Sequence, residues 1–270
     1  MLVDTHVHLS HRQFAPDLPD VIRRARAAGV RVMLIPAIDL PSIERANKIC
    51  EGGEGIYAMA GIHPSYTKDT TESDFQRIVT MASDPAIVAI GESGLDYYHD
   101  RSFDEKQQEL LRRHARLAMR VGKPLILHNR DASDDLLRIL REEREASPAP
   151  ERLRGIFHCF SGPATLGRSA IELGFMLGVG GNVTYKNSPT AAALTDLDLA
   201  DLVLETDGPF LAPVPYRGKR NEPAYVALVA EAVAAIKGVT VAEVAEVTTA
   251  NALRLFGLPD YLASSSSTTS

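Results

Sequence analysis

Short apolar runs alternate with longer amphipathic stretches along almost the whole chain. The runs Leu2–His6, Val30–Pro36, Ile56–Ile62, Ala86–Gly91, Pro124–His128, Gly155–His158, Phe175–Val179 and Asp201–Glu205 have the length and composition of buried strands. The stretches between them carry helical spacing, as in Leu110, Leu111, Ala115, Ala118 and Met119. Ser102, with Glu105 three residues later, reads as a capping box opening that helix, and Gly122 and Pro124 close it. Gly29 and Gly174 mark the ends of two further helices, one beginning near Asp17 and one after Pro163. Beyond the eighth run, Glu222–Lys237 and Val241–Phe256 predict two helices, the second packing back as a cap. From 258 to 270 the chain is a short, mostly polar tail ending in serine and threonine, which predicts disorder.

Eight strands alternating with helices in about 250 residues is the arithmetic of an α/β (β/α)8 TIM barrel, here spanning 1–257 with a C-terminal capping helix. A doubly wound open sheet has the same alternation. The chemistry-bearing residues favour the barrel. His6 and His8, Glu92, His128, His158 and Asp207 fall at the ends of runs one, four, five, six and eight. Only a closed ring brings those ends to one centre.

Composition narrows the partners. The 270 residues are 45% hydrophobic and 24% charged, as in ordinary globular proteins, and no segment is apolar enough to span a membrane. The N-terminus enters a strand at once, leaving no room for a secretory leader. With two cysteines in unrelated segments, a reducing cytoplasm is expected; the sequence leaves the oligomeric state open, a monomer being favoured. A formal charge of −6 argues against a surface that coats phosphates generally, so any attraction for nucleic acid must be local.

His6 and His8 stand two apart on one strand and therefore face the same side. Each of the six candidates has an ordinary reading as a rim, cap or packing residue. Together, four imidazoles and two carboxylates at one barrel end need a cation to be tolerable. Six ligands suit two metals roughly 3.5–4 Å apart with a shared carboxylate. Cys159 faces opposite to His158 if the strand continues, and reads as packing.

Several blocks carry a resemblance: Asp4-Thr5-His6-Val7-His8, Gly61-Ile62-His63-Pro64, Gly91-Glu92-Ser93-Gly94-Leu95-Asp96-Tyr97-Tyr98, His158-Cys159-Phe160-Ser161-Gly162 and Glu205-Thr206-Asp207. With Arg217-Gly218-Lys219-Arg220-Asn221-Glu222-Pro223 and Asn251-Ala252-Leu253-Arg254-Leu255-Phe256, they resemble the TatD family of metal-dependent deoxyribonucleases in the amidohydrolase superfamily. Ser65, Ser93 and Asn129 depart from that family's usual residues without removing a ligand. The resemblance implies that His6, His8 and Asp207 hold one metal, His128 and His158 the other, and Glu92 bridges them. It also implies magnesium- or manganese-supported 3′-to-5′ exonuclease activity on single-stranded or damaged DNA ends, in DNA repair, with RNA a further candidate substrate. Four imidazoles alone favour zinc, manganese, iron or nickel over magnesium.

Two divalent ions, less the charges of Glu92, Asp207 and a hydroxide, leave a net positive charge suited to a phosphodiester. Catalysis is assigned to Glu92 and Asp207, with Asp207 orienting the attacking water and shuttling its proton. His63 or Arg130 would stabilise the phosphate oxygens; for Arg130 a salt bridge with Asp131 or Asp134 is the alternative. Arg217, Lys219 and Arg220 would steer the strand, and bases would stack on some of Tyr66, Tyr97, Tyr98, Phe160, Tyr185 and Tyr216. His11, His99 and His114 carry no assigned role, His114 being structural inside a helix. Two other readings stand: hydrolysis of an ester or amide such as D-aminoacyl-tRNA on the same metals, and a non-catalytic binding barrel.

Overall fold

In a computed structural model that describes residues 1–98 and 100–259, eight parallel strands form one sheet in sequential order β1 to β8. They are β1 (Leu2–Asp4), β2 (Val30–Ile35), β3 (Ile56–Ala60), β4 (Ile87–Asp96), β5 (Leu125–Arg130), β6 (Gly155–Phe157), β7 (Phe175–Val179) and β8 (Leu202–Leu204). The intervening helices are α1 (Leu18–Ala27), α2 (Leu40–Glu51), α3 (Glu72–Met81), α4 (Asp104–Val121), α5 (Ser133–Glu145), α6 (Ala164–Glu172) and α7 (Pro189–Leu194). Two more, α8 (Val226–Lys237) and α9 (Val241–Phe256), follow β8. The sheet closes on itself: Thr5 N donates to Leu204 O at 3.0 Å, Asp207 N to His6 O at 2.8 Å, and Val7 bridges Gly208 in parallel. Closure excludes the open sheet and gives the (β/α)8 barrel.

Its interior is filled by alternate strand residues, Val3, Leu34, Met59, Ile126, Ile156 and Val203 among them, in one apolar cluster with Leu253, Leu255 and Phe256 of α9. The last helix thus plugs the N-terminal end of the barrel, as its expected capping role requires. The opposite, C-terminal end is where function gathers in this fold. Among the described residues no single helix is long and apolar enough to cross a membrane.

Two local expectations change. β4 runs past Gly91 as far as Asp96, with every residue buried, so Glu92 lies inside a strand rather than beyond one. The extension pairs with β5, Gly94 opposite His128. Gly94 has φ of 140°, and a Cβ there would lie 2.0 Å from the His128 carbonyl oxygen, so only glycine admits this approach. The capping box at Ser102 does not form. Ser102 instead donates to the Asp100 carboxylate within a 3-10 turn, Arg101–Phe103, and α4 begins without a side-chain cap. Capping boxes occur at Asp39 with Ser42 and at Thr71 with Asp74. His99, and the polar tail from residue 260, lie outside the described residues.

Candidate metal centre

Strand ends from around the ring converge on Glu92, which is 2% exposed. Its two oxygens serve different histidines. Oε2 lies 3.3 Å from His6 Nε2 and 3.8 Å from His8 Nε2. Oε1 lies 3.2 Å from His128 Nδ1, 3.5 Å from His63 Nε2 and 3.9 Å from His158 Nε2. Asp207 closes the other side, its Oδ1 3.3 Å from His8 Nε2, 3.8 Å from His158 Nε2 and 3.9 Å from His6 Nε2. All six residues expected as ligands therefore meet at one point. The same point forms the floor of a cavity of about 810 Å³, lined by His8, Glu92, His128, Arg130, His158 and Asp207 among others.

Their grouping differs from the expected division in one respect. His6, His8 and Asp207 do form one compact set of possible metal donors. Glu92 and His128, however, group with His63, while His158 groups with His6 and Glu92, its ring stacked on His6 at 3.4 Å.

Backing residues account for the orientation of the imidazoles. Glu205 Oε1 lies 2.8 Å from His158 Nδ1 and accepts from Cys159 N at 2.7 Å. Burial alone would lower the His158 pKa, but the Glu205 charge and contact outweigh it and push it up to about 10. With Glu205 behind Nδ1, the ring turns Nε2 toward Glu92 and Asp207. Asp96 Oδ2 does the same for His128 Nε2 at 3.1 Å, leaving Nδ1 for Glu92. A carboxylate behind an imidazole is the common support of a metal-binding histidine, since it fixes the tautomer and raises basicity. On the first strand, Asp4 accepts from His6 N at 3.2 Å and from Thr206 N at 3.0 Å.

Glu205, Asp96 and Asp4 were not singled out in the sequence, although each lies within a quoted motif. Glu205 sits two residues before Asp207, in the segment that follows β8. It also explains Gly178, where a Cβ would fall 2.3 Å from Glu205 Oε2. Asp96 and Glu205 further alter the charge balance, because their two negative charges offset the positive excess expected of two ions. Arg130 then becomes the cation that lines the cavity.

Burial lowers the His63 pKa to about 4, with Glu92 offsetting only part. Its Nδ1 accepts from Ser65 N at 3.1 Å, so the neutral ring carries its proton on Nε2, aimed at Glu92 and the cavity. That tautomer donates a hydrogen bond and has no lone pair at Nε2 for a metal. Glu92 and Asp207 are both held below the usual carboxylate range: burial opposes this, but the surrounding histidines outweigh it.

Among the expected substrate contacts, Arg130 lines the cavity with its guanidinium 3.7 Å over the Tyr98 ring, not on Asp131 or Asp134. Arg220 is a correction. It binds Asp17 at 2.7 and 2.8 Å and Glu222 at 2.8 Å, while Arg24 completes the network, and together they tie the loop after β8 to α1. Arg217 stacks over Tyr185 at 4.5 Å, and neither it nor Lys219 lines the cavity. Cys159 is a second correction. The strand ends at Phe157, the backbone turns with φ of 47° at Cys159, and the residue lines the cavity beside His158. Tyr97 and Tyr185 are engaged through their hydroxyls with Asp135 and Ala212 O, and Phe160 is buried. His114 is structural as expected: Nε2 accepts from Ile62 N at 3.3 Å, next to His63.

Comparison with known proteins agrees with this geometry. Residues 3–257 match the model of the TatD related DNase family. The chain is 44% identical over 257 residues to the metal-dependent hydrolase YabD of Bacillus subtilis, covering 95% of this chain and 99% of that protein. It is 32% identical over 263 residues to the 3′-5′ ssDNA/RNA exonuclease TatD of Klebsiella pneumoniae, covering 95% and 98%. The crystal structure of YJJV, a TatD homologue from Escherichia coli, superposes with a TM-score of 0.88 at 30% identity, covering 96% of this chain and 98% of that one. The chain belongs to the TatD family of metal-dependent hydrolases.

Proposed function

We propose that the protein is a two-metal phosphodiester hydrolase that shortens single-stranded or damaged DNA from the 3′ end, with RNA as a further substrate. The observation that carries this reading is the split of Glu92, one oxygen toward His6 and His8 and the other toward His128 and His158. The residues fit divalent ions. His6 Nδ1 and Nε2 are both buried with no hydrogen-bond partner among the described residues, a costly state that a ligated ion relieves. His6, His8 and Asp207 would hold one ion, His128 and His158 the other, with Glu92 between them. Magnesium, manganese and zinc are the candidates.

Divalent ions held there supply Lewis acidity, acidifying water and polarising phosphoryl oxygens. The protein's own groups do the rest. Asp207, ionised and at the cavity wall, orients the attacking water and takes its proton. His63 donates from Nε2 to a non-bridging phosphate oxygen, and Arg130 pairs with the phosphate from the rim. The exonuclease named among the relatives supports this substrate class. Ester cleavage of D-aminoacyl-tRNA at the same residues is the alternative. The decisive assay offers the metal-loaded protein 3′-labelled single-stranded DNA and, separately, D-aminoacyl-tRNA. Shortening of the DNA is expected; intact DNA with ester cleavage abolished by Asp207→Ala would overturn the nuclease reading.

A further inference from the structure

Apolar surface left in water is unevenly distributed on this molecule. The large hydrophobic side chains exposed among the described residues are Tyr66, Tyr98, Phe210, Leu211, Val214 and Val241. Tyr66, Phe210 and Leu211 line the cavity over the metal centre, and Tyr98 lies beneath the guanidinium of Arg130, which lines it too. Exposed apolar groups gathered at one mouth, rather than scattered, mark a binding surface.

Phe210 and Leu211 are the unusual pair. Phe210 is 44% exposed, and its ring is held near perpendicular to His8 and His11, with centroids 5.7 and 5.4 Å away. Its backbone is tied to the centre: Phe210 N donates to Asp207 O at 2.9 Å. Asn221, fully buried, donates to Phe210 O and Thr206 O, both at 2.7 Å. Leu211 is 41% exposed with φ of 51°, a conformation costly for a bulky side chain. Neither residue stabilises the core, yet the loop holds both rigidly within a few residues of Asp207. Such local costs are retained where a surface serves a ligand.

We propose that Phe210 and Leu211 form a seat for the unpaired nucleobase adjoining the phosphate at the metal centre, so that single-stranded ends are selected by stacking. The inference rests on the nuclease reading above. Strand order sets this seat across the mouth from Tyr66 and Tyr98, which follow β3 and β4, and from Arg130, which ends β5. The cationic and aromatic sides together match a nucleotide: phosphate at Arg130 and the metal ions, base against the ring. A terminal base held in a duplex must first break its pairing and its stacking on the neighbouring base, a cost that an unpaired end does not carry. Every base offers a π face, so the seat selects strandedness without reading sequence.

The test uses the metal-loaded protein and a single strand bearing 2-aminopurine at its 3′ terminus, with fluorescence followed by rapid mixing. A matching strand with an abasic 3′ residue is the control. Wild type should quench the 2-aminopurine on binding. Phe210→Ala should lose the quench and bind roughly tenfold to a hundredfold more weakly, near the wild-type affinity for the abasic strand, while Phe210→Tyr restores both. Unchanged quenching in Phe210→Ala, or none in wild type, overturns the seat. Quenching without shortening of the strand keeps the seat and removes the nuclease reading. Shortening without quenching does the reverse.

Discussion

Asp4 Oδ2 accepts a hydrogen bond from Thr206 Oγ1 at 2.6 Å, across the seam where the first and last strands close the barrel. The same carboxylate accepts from the backbone of Thr206 and of His6. It therefore joins the segment after β1 that carries His6 and His8 to the segment after β8 that carries Asp207. Replacement by alanine leaves three buried donors without an acceptor, at about 1–3 kcal/mol each when unrelieved. Asp4→Ala is expected to lower unfolding free energy in urea by roughly 3 kcal/mol and to lose metal stoichiometry. Asp4→Asn, which keeps one acceptor oxygen, should lose less of both.

Glu205 acts on the centre through His158. In Glu205→Gln the charge that holds the Nδ1 proton is gone, and metal affinity is expected to fall roughly 10- to 100-fold, as for other supporting carboxylates. Competitive titration with a metal indicator measures this directly. Chelation should abolish turnover in wild type, and readded manganese should restore it at lower concentrations than in Glu205→Gln.

His114 sets a pH dependence of stability outside the metal centre. Burial lowers its pKa to about 4, with the Leu110 carbonyl offsetting only part. In the unfolded chain it titrates near 6.5. Its neutral form is thus fully compatible with folding above pH 6.5, and between pH 6.5 and 4 the unfolded state binds the extra proton. Stability should fall across that window by about 3 kcal/mol from this group, then level off below it. Urea unfolding from pH 7 to 4 measures the slope, which His114→Leu should reduce by about one proton.

Arg130 and Arg220 should separate cleanly. Arg130→Ala removes a cavity-lining cation and is expected to raise KM for single-stranded DNA by roughly tenfold, as befits a lost phosphate contact. Arg220→Ala breaks the contacts to Asp17 and Glu222, so it should lower the melting temperature. A KM increase in Arg220→Ala equal to that of Arg130→Ala, without lost stability, would contradict the placement of Arg220.

The residues gathered at the cavity floor were legible because their signal is local. His6 and His8 share a strand face by a spacing of two, and Glu92, His128, His158 and Asp207 each end an apolar run. Period and order sufficed to place them at one end of a barrel. The capping-box pattern at Ser102 does not hold because Asp100, two residues upstream, competes for the same turn. Strand alternation does not place Cys159, because the strand ends at Phe157 and the chain turns there.

What the sequence determined alone was the alternation of strands and helices and the chemical types at strand ends, since both are written in the 3.6- and two-residue periods of the backbone. Tertiary structure decided which groups stand behind those ends. Glu205 supports His158 from 47 positions away in the chain, Arg220 is drawn to Asp17 from more than two hundred, and Phe210 is left at the mouth rather than packed. Such pairings depend on distances between loops brought together by closure of the ring, and no local pattern of residues encodes them.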